Sequence, residues 1–244
     1  MNKTAKGLVA AAKQLRDELD LLAFSPPVAC VYNPLHYAWA ANEHYLKTYA
    51  TSPCRVFLLG MNPGPWGMAQ TGVPFGEINA VRSYLQIEAN IEKPENEHPK
   101  RPIEGFACTR SEVSGKRLWG LFAERYPNPK DFFLGHFVAN FCPLVFMDSN
   151  ARNITPDKIP SFESKPLDSI CDRHLQQSLI LLQPEFAVGV GAYAQACLKR
   201  VCDSHRQLRH ISVCKILHPS PASPAANRDW PGQATKQLQD AGIW

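Results

Sequence analysis

Arg55-Val56-Phe57-Leu58-Leu59-Gly60 runs without a break into Met61-Asn62-Pro63-Gly64-Pro65-Trp66-Gly67-Met68-Ala69-Gln70-Thr71-Gly72-Val73-Pro74-Phe75-Gly76, a short apolar segment opening into a loop rich in glycine and proline. An apolar run without polar alternation suits a strand buried on both faces, the usual condition of a parallel sheet, better than a two-faced antiparallel strand. Three further runs share this character: Phe137 to Cys142, Phe186 to Val190 and Ile211 to Leu217. Around them apolar residues recur at helical spacing. Leu8, Ala11, Leu15, Leu19 and Leu22 mark a first helix ended by Pro26-Pro27, and others are expected at about 35–49, 77–87, 115–126, 167–182, 192–204 and 233–241. Buried strands alternating with helices predict an α/β fold, a three-layer α-β-α sandwich with a central, mostly parallel four-stranded sheet. No repeat and no Gly/Ser-rich linker divides the chain, so a single domain over 1–244 is expected.

Composition narrows the function classes. The chain holds 21 prolines and 14 glycines in 244 residues, a proline excess without a glycine excess, which argues for stiff loops on a compact core and against disorder. No apolar stretch approaches the roughly 18 residues of a membrane span, so no membrane association is expected. Lys3 and Lys6 precede Leu8-Val9-Ala10-Ala11-Ala12 in the manner of a leader, but Arg16, Asp17, Glu18 and Asp20 follow at once, which favours an ordinary helix. The eight cysteines form no C-x-x-C pair, which speaks against zinc ribbons and iron–sulfur clusters and for a reducing intracellular compartment. Cys197 and Cys202 are read as buried packing. Gly189-x-Gly191 is too short for a dinucleotide fingerprint. No metal and no cofactor are expected.

In a parallel α/β sheet, ligands collect at the carboxyl ends of the strands. Here three of those ends carry one polar side chain each beside proline-stiffened turns: Asn62 in the loop above, Asn140 in Asn140-Phe141-Cys142-Pro143-Leu144, and His218 in His218-Pro219-Ser220-Pro221-Ala222-Ser223-Pro224-Ala225-Ala226-Asn227-Arg228. Taken singly, Asn62 suits a turn, Asn140 a strand-end hydrogen bonder, His218 a loop histidine, and Met61 and Phe75 core packing. Their joint placement carries the functional reading. Glu97-His98-Pro99-Lys100-Arg101-Pro102 reads as solvated surface within reach of phosphates, Trp66, Trp119 and Trp230 as packing residues, and Lys199-Arg200, Arg206 and Arg209 as a weakly basic region.

These stretches resemble the single-strand-selective monofunctional uracil-DNA glycosylases, within the wider uracil-DNA glycosylase superfamily. The likeness rests on the 60–76 and 218–227 runs, extends through 97–102, 111–115, 140–144 and 152–156, and spans roughly Tyr32 to Trp230. It implies an enzyme that flips uracil out of single- or double-stranded DNA and hydrolyses its N-glycosidic bond, initiating base-excision repair with no lyase step and no metal. A monomer is expected, located in the cytoplasm of a bacterium or the nucleus of a eukaryote.

The resemblance assigns catalysis to Asn62, which positions the attacking water, and to His218, which donates to the O2 of the departing base. It assigns base recognition to Asn140, stacking to Phe75, and the neighbourhood of the C5 edge to Met61 and Gly64, with the Met61 N–H as a second donor to O2. The chemistry suits these residue types. An Asn amide can pair with the N3–H donor and O4 acceptor of uracil, whereas cytosine presents them reversed. An amide is too weak a base to ionise water, so Asn62 implies a dissociative path in which water meets a cationic sugar. Room at Gly64 extends the expected substrates to 5-hydroxymethyluracil and related C5-oxidised pyrimidines. DNA contacts fall on Arg152, Asn153, Pro219, Ser220, Pro221, Ala222, Ser223, Pro224, Asn227 and Arg228, the 218–228 segment acting as a wedge. The family often has a basic residue where this chain has Ala222, which leaves single strands relatively favoured. The competing readings are a superfamily member of other specificity, such as hypoxanthine or mismatched bases, and a non-catalytic protein that binds damaged DNA.

Overall fold

The computed structural model describes residues 2–50 and 53–244. The first part of the chain forms α1 (Lys3–Leu19), β1 (Cys30–Tyr32), α2 (Pro34–Tyr37), α3 (Trp39–Tyr49), β2 (Val56–Gly60) and α4 (Met68–Thr71). There follow α5 (Val113–Arg125), α6 (Pro129–Phe133), β3 (His136–Asn140), β4 (Val145–Met147) and β5 (Asn153–Ile154). The chain closes with α7 (Ser161–Leu182), β6 (Phe186–Val190), α8 (Ala192–Ser204), β7 (Ser212–Ile216) and α9 (Pro224–Asp240).

The four apolar runs are the four strands of one sheet, in the order β3-β2-β6-β7, every pair parallel. All five residues of β2 are buried, as strands covered on both faces must be. Each fully buried Leu or Phe there contributes about 1.5–3 kcal/mol of transfer free energy. Helix α8 covers β6, β7 and β2, α9 lies on β7 and α5, and α1 packs between α3 and α7, which completes the layers. From β2 the chain goes to β3 on one side and later returns to β6 and β7 on the other. The crevice where strand order diverges opens above the carboxyl end of β2.

A second sheet lies outside the sequence expectations. Strands β1, β4 and β5 form an antiparallel sheet in the order β1-β4-β5, each only two or three residues long. The helix expected over 35–49 is divided at Ala38 (φ −109°, ψ 24°) into α2, capped by Asn33, and α3. Ala38 lies against Gly72, where an added Cβ would come within 2.6 Å of the Ala38 carbonyl. Helix α7 starts earlier than Leu167 and carries Pro166 inside it. The helix expected near 233 is the second half of α9, which kinks at Asp229, whose Oδ1 accepts from Gly232 N at 2.9 Å. Cys197 and Cys202 are buried on α8.

Candidate active site

The register of the sheet explains why the pocket forms where it does. Gly60 and Asn140 are direct partners at the last rung of β2 and β3, and Phe141 N extends the ladder to Gly60 O at 2.9 Å. A Cβ at Gly60 would collide with Asn140 Oδ1 and stand 2.6 Å from the Phe75 ring. The missing side chain is therefore what lets the Asn140 amide and the Phe75 ring meet above the strand end. Phe75 itself has φ 52°, the left-handed region that non-glycine residues avoid at about 1–3 kcal/mol. Its surroundings hold it there. Thr71 Oγ1 donates to Gly76 O at 2.9 Å, Glu77 N to Phe75 O at 2.7 Å, and the buried Trp119 Nε1 to Pro74 O at 3.3 Å.

Asn62 follows β2 directly. Its Nδ2 donates to Leu144 O at 3.4 Å and Pro63 O at 3.5 Å, which leaves Oδ1 as the acceptor available to a water. Asn140 Nδ2 is directed at Met68 Sδ, 3.2 Å away. A thioether is a weak acceptor, so exchanging it for a carbonyl oxygen of a base costs little.

His218 comes from the far edge of the sheet, after β7. It crosses the end of β6 at Gly191, whose φ of 97° and missing Cβ let the His218 Cβ pass 3.3 Å from the position a side chain would take. Its Nδ1 accepts from Ser220 N at 3.1 Å, so in the neutral ring Nε2 carries the proton. Burial holds its pKa below the ordinary histidine value, and the ring is neutral at physiological pH. The segment beyond it is fixed from α5: Arg117 Nη1 donates to Pro219 O at 3.0 Å and Nη2 to Asn227 Oδ1 at 2.9 Å.

These side chains line one cavity of about 320 Å³, which includes Met61, Asn62, Gly64, Phe75, Asn140 and His218 among its walls. All six residues that sequence reasoning gave to catalysis and base binding are thus brought together. Of those given to DNA contact, Asn153 and Ser220 reach the cavity mouth, and Arg152 stands exposed on the β4–β5 hairpin. Pro221 and Ala222 are exposed at the tip of the 218–224 loop. Pro219 is buried beneath it. Ser223 accepts from Ala226 N to cap α9, Pro224 begins that helix, Asn227 Nδ2 returns to Pro221 O at 2.8 Å, and Arg228 is exposed beside it. Arg200 is engaged elsewhere, donating twice to Asp172 at 2.8 Å.

Five wall residues were not given a site role by sequence reasoning: Pro63, Met68, Glu112, Ser114 and Thr155. Glu112 is the consequential one. Its carboxylate oxygens occupy the space that side chains at Gly64 and Gly67 would need. Burial pushes its pKa up to about 7, with the Glu77 charge adding to the rise and the amides of Gly64 and Gly115 opposing it. The only sequence signal was the pairing of a G-x-x-G spacing with an acid ahead of a helix, and neither is specific alone.

Comparison with known proteins identifies the family. The model of the uracil DNA glycosylase superfamily matches residues 46–239. The single-strand selective monofunctional uracil-DNA glycosylase of Rattus norvegicus is 44% identical over 239 residues, 98% of this chain and 85% of that protein. The Bos taurus protein is 43% identical over 98% of this chain and 87% of its own length. A crystal structure of SMUG2 from Pedobacter heparinus shares the fold, with a TM-score of 0.64 and 16% identity over 96% of this chain and 99% of that one. The chain belongs to the uracil-DNA glycosylase superfamily, within its single-strand selective monofunctional branch.

Proposed function

We propose that this protein is a monofunctional uracil-DNA glycosylase that takes the extruded base into the 320 Å³ cavity and hydrolyses its N-glycosidic bond to begin base-excision repair. The carrying observation is the meeting of Asn62, Phe75, Asn140 and His218 around that cavity, with His218 neutral and its proton on Nε2. The base stacks on Phe75, a contact worth about 1–3 kcal/mol, and exchanges the Met68 thioether for its own O4 at Asn140 Nδ2. As the glycosidic bond lengthens, negative charge gathers on O2. A neutral imidazole N–H and the Met61 backbone N–H stabilise it without transferring a proton. Positive charge builds on the sugar, and the water held by Asn62 Oδ1 meets it on the face left by the base.

The same cavity supports a wider choice of base. On the Gly64 side the Glu112 carboxyl gives the C5 edge a polar neighbour that a hydroxymethyl group can hydrogen-bond, so 5-hydroxymethyluracil is a substrate in this reading. Arg152, Asn153 and the 218–228 segment hold the DNA. The exposed Ala222 at the loop tip offers no charge to a duplex, so single strands are cleaved faster. The test uses single-stranded and duplex oligonucleotides bearing one uracil or one 5-hydroxymethyluracil. Free base should appear from both, with strand breaks only after alkali. Uracil release without any 5-hydroxymethyluracil release would remove the C5 assignment, and equal rates on single and double strands would remove the role of Ala222.

A further inference from the structure

Trp66 packs against the core as its sequence context suggests, but one part of it stays exposed and carries two arginines. Trp119 and Trp230 are fully buried, whereas Trp66 is partly exposed, two residues along the chain from the cavity-wall residue Gly64. Two guanidinium groups lie over its ring, Arg110 at 4.6 Å and Arg101 at 5.0 Å from the centroid. Arg110 is itself two residues from the wall residue Glu112.

Neither arginine is neutralised. Among the described residues, no carboxylate lies within ion-pairing distance of either. The nearby Glu97 is committed to Lys93 at 3.1 Å and to Ile103 N at 2.7 Å. Arg101 has only the Lys100 carbonyl as a hydrogen-bond acceptor, at 3.1 Å, and its buried Nε has none. Its position is therefore set by the indole together with that one neighbouring carbonyl, and no side-chain acceptor holds it. Stacking fixes a guanidinium plane while leaving its edge N–H groups outward, the geometry that takes a phosphate on two N–H groups with little further loss of entropy. Two positive charges held together without a counter-charge are costly unless a polyanion covers them. The loop bearing Arg101 also touches the β4–β5 hairpin, through His98 Nε2 and Ser149 O at 3.4 Å, so the basic rim continues towards Arg152.

We propose that the Trp66–Arg101–Arg110 stack is a phosphate-binding site for the strand carrying the extruded base, on a rim segment separate from the 218–224 loop. This rests on the glycosylase reading and adds a subsite to it. The test measures binding of a single-stranded oligonucleotide containing 2′-fluoro-2′-deoxyuridine, whose fluorine suppresses the cationic sugar and so prevents turnover, across a salt series. Arg110→Gln and Arg101→Gln should each weaken binding about 3- to 10-fold at low salt and flatten the log–log salt slope by about 0.7, the value for one single-strand phosphate contact. Trp66→Ala should lose both contributions. At saturating uracil oligonucleotide, kcat should stay within about twofold for the arginine variants. Unchanged affinity and slope in both arginine variants overturns the proposal, as does weaker binding with an unchanged slope, which would mean a packing role. Failure of the wild type to release uracil would instead strike the glycosylase reading, because the salt slope is read independently of turnover.

Discussion

At the scale of single residues, the chemistry turns on protonation states that burial sets. His218 gives Nδ1 to Ser220 N and is held neutral, so it works as a donor of a hydrogen bond and not as an acid. His218→Ala should lower kcat by about 10²–10³ with little change in KM, the usual cost of losing one donor to a developing anion. Glu112 is shifted the other way, up to about 7. A carboxyl whose folded pKa exceeds its unfolded one is bound more tightly by protons in the folded state. Its contribution to stability is complete below the unfolded pKa and lost as pH rises through the folded value near 7. Glu112→Gln should therefore be more stable than wild type at pH 8 and lose that advantage only as pH falls to about 4.5, the unfolded carboxyl value. Each pKa unit is worth about 1.4 kcal/mol, and partial solvent contact reduces the expected gain to about 1–2 kcal/mol. Thermal denaturation at the two pH values reads it. A gain independent of pH would assign the effect to packing.

At the scale of elements, the site is built by strand ends whose glycines make room. Gly60→Ala should push the Asn140 amide and the Phe75 ring apart and lower kcat/KM for uracil release by more than about 10²-fold, since misplacement by about 1 Å costs that much. Activity within about fivefold of wild type, in a protein of normal thermal stability, would show that the pocket tolerates the displacement. The same elements explain what the sequence made legible. Strands β2, β3 and β6 appear as apolar runs because most of their residues are covered on both faces, whereas the edge strand β7 leaves Ser212 and Lys215 exposed; Asn62, Asn140 and His218 are conspicuous because they follow or end these runs beside prolines. Strands β1, β4 and β5 left no such trace, because two- or three-residue antiparallel strands owe their conformation to partners distant in sequence. Glu112 looked like an acid at a helix start, and its burial arises only when Gly64 and Gly67 close over it. Trp66 does pack against the core, but the indole alone says nothing about the stacked Arg101 and Arg110.

At the scale of the whole molecule, acid should unfold the protein through buried histidines remote from the site. His136 is enclosed between Phe132 O, to which its Nδ1 donates at 3.0 Å, and Trp244, whose Nε1 donates to its Nε2 at 3.4 Å. Burial lowers the pKa of His136 to about 4 and that of His174, beneath α1, to about 4. Both groups bind protons more readily unfolded, so their contribution is complete above the unfolded value of about 6.5 and is lost as pH falls towards 4. Denaturant midpoints should fall steadily over that window, and His136→Gln should flatten the fall. An identical pH slope in that variant would place the acid sensitivity elsewhere. The pocket, by contrast, depends on the whole sheet at once, because its three polar groups come from strands β2, β3 and β7. The most direct test of the account is the rate of uracil release from a single-stranded oligonucleotide, read as alkali-labile cleavage, for wild type, Asn62→Ala and His218→Ala. The account predicts cleavage by the wild type only after alkali and a loss of at least about 10²-fold in each variant; no alkali-labile site with the wild type, or a full rate with Asn62→Ala, would contradict it.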